Sequence, residues 1–359
     1  MGARRVFLHV GAPKSGTTYL QARLAANARA LDRHGVLVPT FARLTPRPQA
    51  HFMAALDLLG QDWGGPPGHA VGCWPRLVSA TADAPGSVVV SHEILAPAPP
   101  PVVRRALADL GAGGREVHVV YSARDLGGAL ASAWQESIKQ GRRWTFARFL
   151  DLAGKRRGWW YRALDLPAVL GTWSAGLPPE RVHLVTVPQQ GGHDLLWQRF
   201  CAALDADPAW GEGEPGVTNR SLGVVETQLL RRLNETTGRE RADDRRAARV
   251  STLLERGGLE QRTSPRLTLP PDRLDWVRGE ATRWSEWLAA HPVTVHGSLA
   301  DLDPAPVPVE WTDPDRVEDT LLLERARAVS TSLDQTSATR VGRVGRRVRR
   351  AVGLMGGNG

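Results

Sequence analysis

Two residue types are nearly missing from this chain of 359 residues. Cysteine occurs only at Cys73 and Cys201, and lysine only at Lys14, Lys139 and Lys155 among 46 Lys+Arg. Two cysteines far apart in sequence suggest neither a disulfide framework nor a Cys-based zinc site. Long hydrophobic runs are lacking too: no apolar stretch approaches the ~20 residues of a membrane span, and no extended apolar segment follows Arg4 and Arg5. The simplest expectation is a cytoplasmic protein. The ten histidines show no H-x-x-x-H pattern of a helical zinc site, so no metal is expected. The formal charge of +9 suits anionic ligands in general, and nucleic acid or a membrane surface would satisfy it equally, so charge alone decides little.

What is present is an alternation of buried-looking strands with helical segments. The runs Val6–Val10, Val88–Ser91, Val117–Tyr121 and Val182–Val187 are continuously apolar or nearly so, as strands covered on both faces are, and each is separated from the next by enough chain for a crossover helix. This predicts an α/β fold, a three-layer sandwich with a central parallel sheet, and a C-terminal half rich in helix through Leu222–Leu233 and Leu274–Leu288. The first helix is expected over Thr17–Arg33, stopped by Gly35, and a short helical piece near Met53–Leu59. The expected organisation is one domain over 1–303, a linker and helix over 304–339, and a disordered basic tail over 340–359. Ligands of such sheets bind beyond the carboxyl ends of the strands, which directs attention to the residues that follow each run.

After the first run comes Gly11-Ala-Pro-Lys-Ser-Gly-Thr-Thr-Tyr19, a glycine-containing loop that leads straight into a helix. Backbone N–H groups of such a loop, with the positive end of the helix, bind phosphate or sulfate oxygens. A Walker A loop places its lysine directly after the second glycine. Here Thr17 stands in that place and Lys14 lies inside the loop, which argues against an ordinary ATPase or GTPase. In a chain whose default cation is arginine, a lysine at this point is informative, because a compact ammonium can meet a single bridging oxygen and donate a proton to it.

The string Pro13-Lys14-Ser15-Gly16-Thr17-Thr18 resembles the 5′-phosphosulfate loop of sulfotransferases that use 3′-phosphoadenosine 5′-phosphosulfate (PAPS). A second match follows the Val117–Tyr121 run, where Arg124 and Ser132 have the separation of the arginine and serine that hold the nucleotide 3′-phosphate in that family. An arginine fork and a hydroxyl a little over two helical turns apart can face one anion. The resemblance is specific over Arg5 to Ser137. It implies a P-loop-like sulfotransferase fold, a bacterial member of the family, a PAPS donor, and in-line, metal-independent transfer to a hydroxyl or amine that survives EDTA. It also implies that Lys14 meets the charge of the leaving nucleotide, and that Tyr19 stands where many members stack a tryptophan on adenine.

A general base for the acceptor is expected beyond another strand, and Ser91-His92-Glu93 ends the Val88–Ser91 run. Family members use a histidine or a glutamate there. Neighbouring residues of a strand face opposite ways, so one of His92 and Glu93 is expected to face the pocket, with a slight edge to Glu93. The glycine-rich RKGxxGDW element of the cytosolic members is not found, and Arg220 is a candidate replacement for its contacts. Two other readings stand beside this one: a P-loop kinase or phosphotransferase, and a basic lipid- or nucleic-acid-binding module working through Arg340–Arg350. The expected acceptor is a small molecule, a carbohydrate or a lipid, with peripheral membrane contact through the tail and no nucleic acid partner. Trp63, Trp74, Trp134, Trp159 and Trp160 either line an acceptor site or fill the core.

Overall fold

The computed structural model describes residues 4–41, 45–82, 84–216, 221–236, 249–306, 308 and 310–335. Arg220 and the basic tail over 340–359 lie outside them. Six strands form one sheet: β1 (Arg5–His9), β2 (Val36–Leu37), β3 (Ser87–Ser91), β4 (Glu116–Ala123), β5 (Val182–Thr186) and β6 (Thr294–His296). The order is β2-β3-β1-β4-β5-β6 and every pairing is parallel. The four apolar runs are the four inner strands. Val6, Leu8, Val88, Val90, Val119 and Leu184 are all essentially inaccessible on one face of the sheet.

The opposite face carries Phe7, Val89, Val120 and Val185, packed with Leu20 and Leu24 of α1 (Thr17–Ala26) and with Trp197 and Phe200 of a helix over Gly192–Ala203. Helices over Pro100–Gly111 and Leu166–Trp173 lie against β4. Helices therefore cover the sheet on both faces, as a three-layer sandwich requires.

The expected first helix is broken. It ends at Ala26, and a second helix, α2, runs Ala28–Arg33 to Gly35, whose positive φ of 79° suits a C-terminal glycine. Asn27 is the cause: its side-chain amide donates to the Arg23 carbonyl at 2.9 Å and to the Gly213 carbonyl at 2.8 Å, and accepts from Gly213 N–H at 2.9 Å. Such side-chain bonds compete with the helix ladder.

The chain divides into two compact units that are not consecutive in sequence. One comprises Met1–Trp134, Arg148–Asn219 and Thr268–Trp311, and holds the whole sheet. The other is drawn from Gln135–Ala147, Arg220–Leu267 and the chain from Thr312 onward. It includes a helix over Val224–Thr236 and one over 319–335. Within it the buried Glu226 carboxylate accepts from the Thr263 and Ser264 hydroxyls at 2.7 and 2.5 Å and lies 3.2 Å from Arg325.

Candidate active site

Because β3, β1 and β4 are neighbours, their carboxyl ends lie side by side, about 4.8 Å from strand to strand. The expected base follows the first, the loop the second, and Arg124 ends the third. The topology therefore gathers Lys14, Glu93 and Arg124, which are far apart in sequence.

The loop is stitched to β4. Ala12 N–H donates to the Ser122 carbonyl at 2.7 Å, Ser122 N–H to the Gly11 carbonyl at 2.5 Å, and the buried Ser15 hydroxyl to the Ala12 carbonyl at 2.5 Å. Lys14 and Gly16 have positive φ, 63° and 81°, a conformation found in the backbone nests that bind anions. A lysine in that conformation costs energy that the surrounding loop must hold. Gly16 is the N-cap of α1, with no side chain bonded over the end and no acidic residue in the first turn. The positive helix terminus is therefore left for a ligand. Lys14 is half-buried, Thr17 buried and Thr18 exposed.

Below the loop lies a feature that the sequence reading missed. His9 is buried between two strands, with Nδ1 2.8 Å from Ser91 Oγ on β3 and Nε2 3.0 Å from Ser122 Oγ on β4. Ser91 N–H in turn donates to His51 Nδ1 at 3.2 Å, while His51 Nε2 meets the Pro39 carbonyl at 3.0 Å. Burial lowers both imidazoles from 6.5 to about 4, so both are neutral at pH 7. The sign follows from linkage. The unfolded chain takes up protons at these positions below pH 6.5, whereas the folded chain resists until about pH 4. Each group then removes up to ~1.4 kcal/mol of stability per pH unit between those values and contributes no dependence above pH 7. Urea midpoints should fall between pH 7.5 and 5, and His9→Asn should flatten the profile. Equal midpoints at the two pH values would contradict this account.

At the end of β4, Arg124 is held by its neighbour. Nε and one terminal nitrogen donate to Asp125 Oδ2 at 3.1 and 2.9 Å, and Asp125, 3% exposed, uses Oδ1 to accept from Gly128 N–H at 2.5 Å. Asp125 thus caps the helix over Leu126–Lys139 and orients the guanidinium in one arrangement. A Cβ on Gly128 would lie 2.6 Å from that guanidinium and 2.8 Å from Asp125 Oδ2. Only glycine lets the fork lie over the first helical turn. Ser132, half-buried, is four residues further on, hence on the same helix face as Gly128. The Arg124 guanidinium thus lies beside Gly128, one helical turn before Ser132. Neither Gly128 nor Asp125 was singled out from sequence, although an Asp three residues before a helical glycine is a readable cap.

No protein-family model matches the chain, and no curated protein matches it. Two solved structures resemble it. One, a sulfotransferase from Alicyclobacillus acidocaldarius, is 16% identical and matches over 70% of this chain and 96% of its own, with a TM-score of 0.38. The other, the sulfotransferase domain from the curacin biosynthetic pathway, is 13% identical over 74% of this chain and 99% of its own, with a TM-score of 0.34. Both similar structures are sulfotransferases.

His92 and Glu93 open a short 3-10 turn, and both are half-buried. β3 ends at Ser91, so the strand alternation expected to separate them does not reach either residue, and each has its own partner. Glu93 Oε2 accepts from Gln21 Nε2 of α1 at 2.8 Å, and its backbone abuts the loop, 3.5 Å from where a Cβ on Gly11 would stand. His92 Nδ1 accepts from Ile94 N–H at 3.3 Å, and its ring lies 5.0 Å from that of Phe52. Burial lowers the His92 imidazole, against the opposing effect of Glu93.

Tyr19, at the position where the resemblance implies stacking on adenine, is largely covered. The ring is 8% exposed, one face is stacked on His193 at 4.4 Å, and its hydroxyl accepts from Arg23. The outer surface of that stack is the exposed His193. Trp74 and Trp134 are core residues, whereas Trp63 is 46% exposed.

Proposed function

We propose that the chain is a sulfotransferase that moves a sulfuryl group from PAPS to a hydroxyl or amine. One observation carries the reading: the lysine-bearing loop at the end of β1 is flanked by an Asp-oriented arginine at the end of β4 and by a carboxylate at the end of β3. The donor set fits an adenine nucleotide with anionic groups at both ends. Loop N–H groups, that of Ser15 among them, the unopposed end of α1, Lys14, Thr17 and Thr18 would hold the phosphosulfate, and Arg124 with Ser132 the 3′-phosphate, while the Ser15 hydroxyl holds the loop.

When bound, PAPS supplies the activated sulfuryl group and a leaving bisphosphate. The residues orient it, and Lys14 meets the negative charge that grows on the leaving oxygen. Glu93 takes the acceptor proton. A phosphotransferase reading lacks its main requirement, since Thr17 occupies the Walker lysine position.

Calorimetry with adenosine 3′,5′-bisphosphate tests the reading, with Mg²⁺-ATP as the rival ligand. Binding of the bisphosphate and not of ATP is expected. Gly128→Ala should weaken it by ~10-fold or more, since hydrogen bonds to charged groups are worth ~1.5–3 kcal/mol. The fold should tolerate that change, because the displaced atoms are the far ends of side chains. Unchanged affinity in Gly128→Ala would remove Arg124 from the nucleotide site.

A further inference from the structure

His92, the neighbour in sequence of the candidate base Glu93, is the inner end of a row of aromatic rings that runs outward to the surface. His92 lies 5.0 Å from Phe52, and Phe52 lies edge-to-face with Trp63 at 5.1 Å. The outermost ring is a large exposed hydrophobic side chain at 46% accessibility. An isolated exposed tryptophan needs no explanation, but one continuous with a site does.

The loop that carries Trp63 is built to present it. The Asp62 carboxylate accepts from Gly68 N–H across the loop and lies 3.0 Å from His69 Nδ1, closing residues 62–69 into a compact turn. Gly64, at φ 84°, lies against Phe52, where a Cβ would touch the ring at 3.4 Å. The indole N–H is tied to Gln61 Oε1 at 2.8 Å. Both the backbone and the polar edge of Trp63 are thus fixed, while much of its ring surface stays open.

Resting on the sulfotransferase reading, we propose that this row is the acceptor subsite and that its acceptor is a carbohydrate. An aryl acceptor would be enclosed, since small apolar ligands bury most of their surface in a pocket. Here the outermost ring is half open and flanked by Gln61, Asp62 and His69. A sugar suits such a surface. The C–H groups on one face of a pyranose ring are weakly positive and lie against the negative face of an indole, while its hydroxyl edges stay in water or bond the polar rim. Two ring-to-ring steps separate Trp63 from His92, so an oligosaccharide, with one unit at Glu93 and others on the row, makes fuller use of the surface than a monosaccharide.

The experiment uses the full chain with adenosine 3′,5′-bisphosphate and follows NMR line broadening of cellohexaose, chitohexaose and 4-nitrophenol. At least one hexasaccharide should broaden with wild-type protein. Trp63→Ala should weaken that binding at least ~10-fold, Trp63→Phe should restore most of it, and the bisphosphate affinity should be the same in all three proteins. In turnover the Trp63→Ala loss should appear mainly in KM. Binding of 4-nitrophenol alone, binding of no probe, or saccharide binding indifferent to Trp63→Ala overturns the proposal. Failure of the bisphosphate to bind, with Trp63-dependent saccharide binding retained, would instead remove the sulfotransferase reading and leave a carbohydrate surface.

Discussion

Lys14→Ala is expected to lower kcat by ~10² to 10³, the usual cost of removing one donor aimed at developing charge, while the melting temperature changes little. The side chain rises from a loop whose geometry is held by others: Ala12 and Ser122 exchange backbone bonds with β4 and the loop, and Ser15 closes the turn. Alanine at a position with φ 63° is no more strained than lysine, so the loop should persist. Lys14→Arg makes the test sharper. The chain supplies positive charge through arginine almost everywhere, and a charge alone would be restored by this substitution. A guanidinium fork is broader than an ammonium and does not release a proton, so Lys14→Arg should recover only a minor part of the loss. Recovery to near wild-type turnover would show that Lys14 contributes only charge, and retention of turnover in Lys14→Ala would remove it from catalysis. Adenosine bisphosphate affinity, measured alongside, should fall far less than kcat.

The loop was readable because its chemistry is contiguous: glycines, lysine and hydroxyls occupy neighbouring positions between a strand and a helix. The inner strands were readable because burial on both faces leaves an unbroken apolar run. The edge strands β2 and β6 escaped for the complementary reason. Val36–Leu37 is two residues long, and Thr294–His296 is partly exposed, so neither forms such a run. Features made by partners distant in sequence were also hidden. His9 reads as one polar residue in a strand, and only the sheet order shows that it ties Ser91 to Ser122. Gln21 reads as a helix-surface residue, yet its amide reaches Glu93 on another strand end. Gly128 reads as a poor helix former, and its purpose appears only when the guanidinium of Arg124 is seen lying over it.

The pair His92–Glu93 shows how the structure separates two residues that sequence reasoning left together, and it gives the second large expected effect. A neutral imidazole has one basic nitrogen. In His92 that nitrogen is Nδ1, which already accepts from Ile94 N–H, so with the ring kept neutral by burial Nε2 carries the proton and is a donor. His92 has no lone pair to spare for an acceptor hydroxyl. Glu93 does: Gln21 occupies a position on Oε2 and leaves Oε1 to take a proton. Glu93→Gln should therefore reduce turnover by ~10² to 10⁴, the range spanned by general base catalysis. His92→Ala should cost less than ~10-fold, through the lost cap on the 3-10 turn and the lost ring beside Phe52. Steady-state kinetics of the two variants, with the same acceptor and saturating donor, decide between them. The reverse order of effects would assign the base to His92 and require its ring to release Ile94 before each turnover.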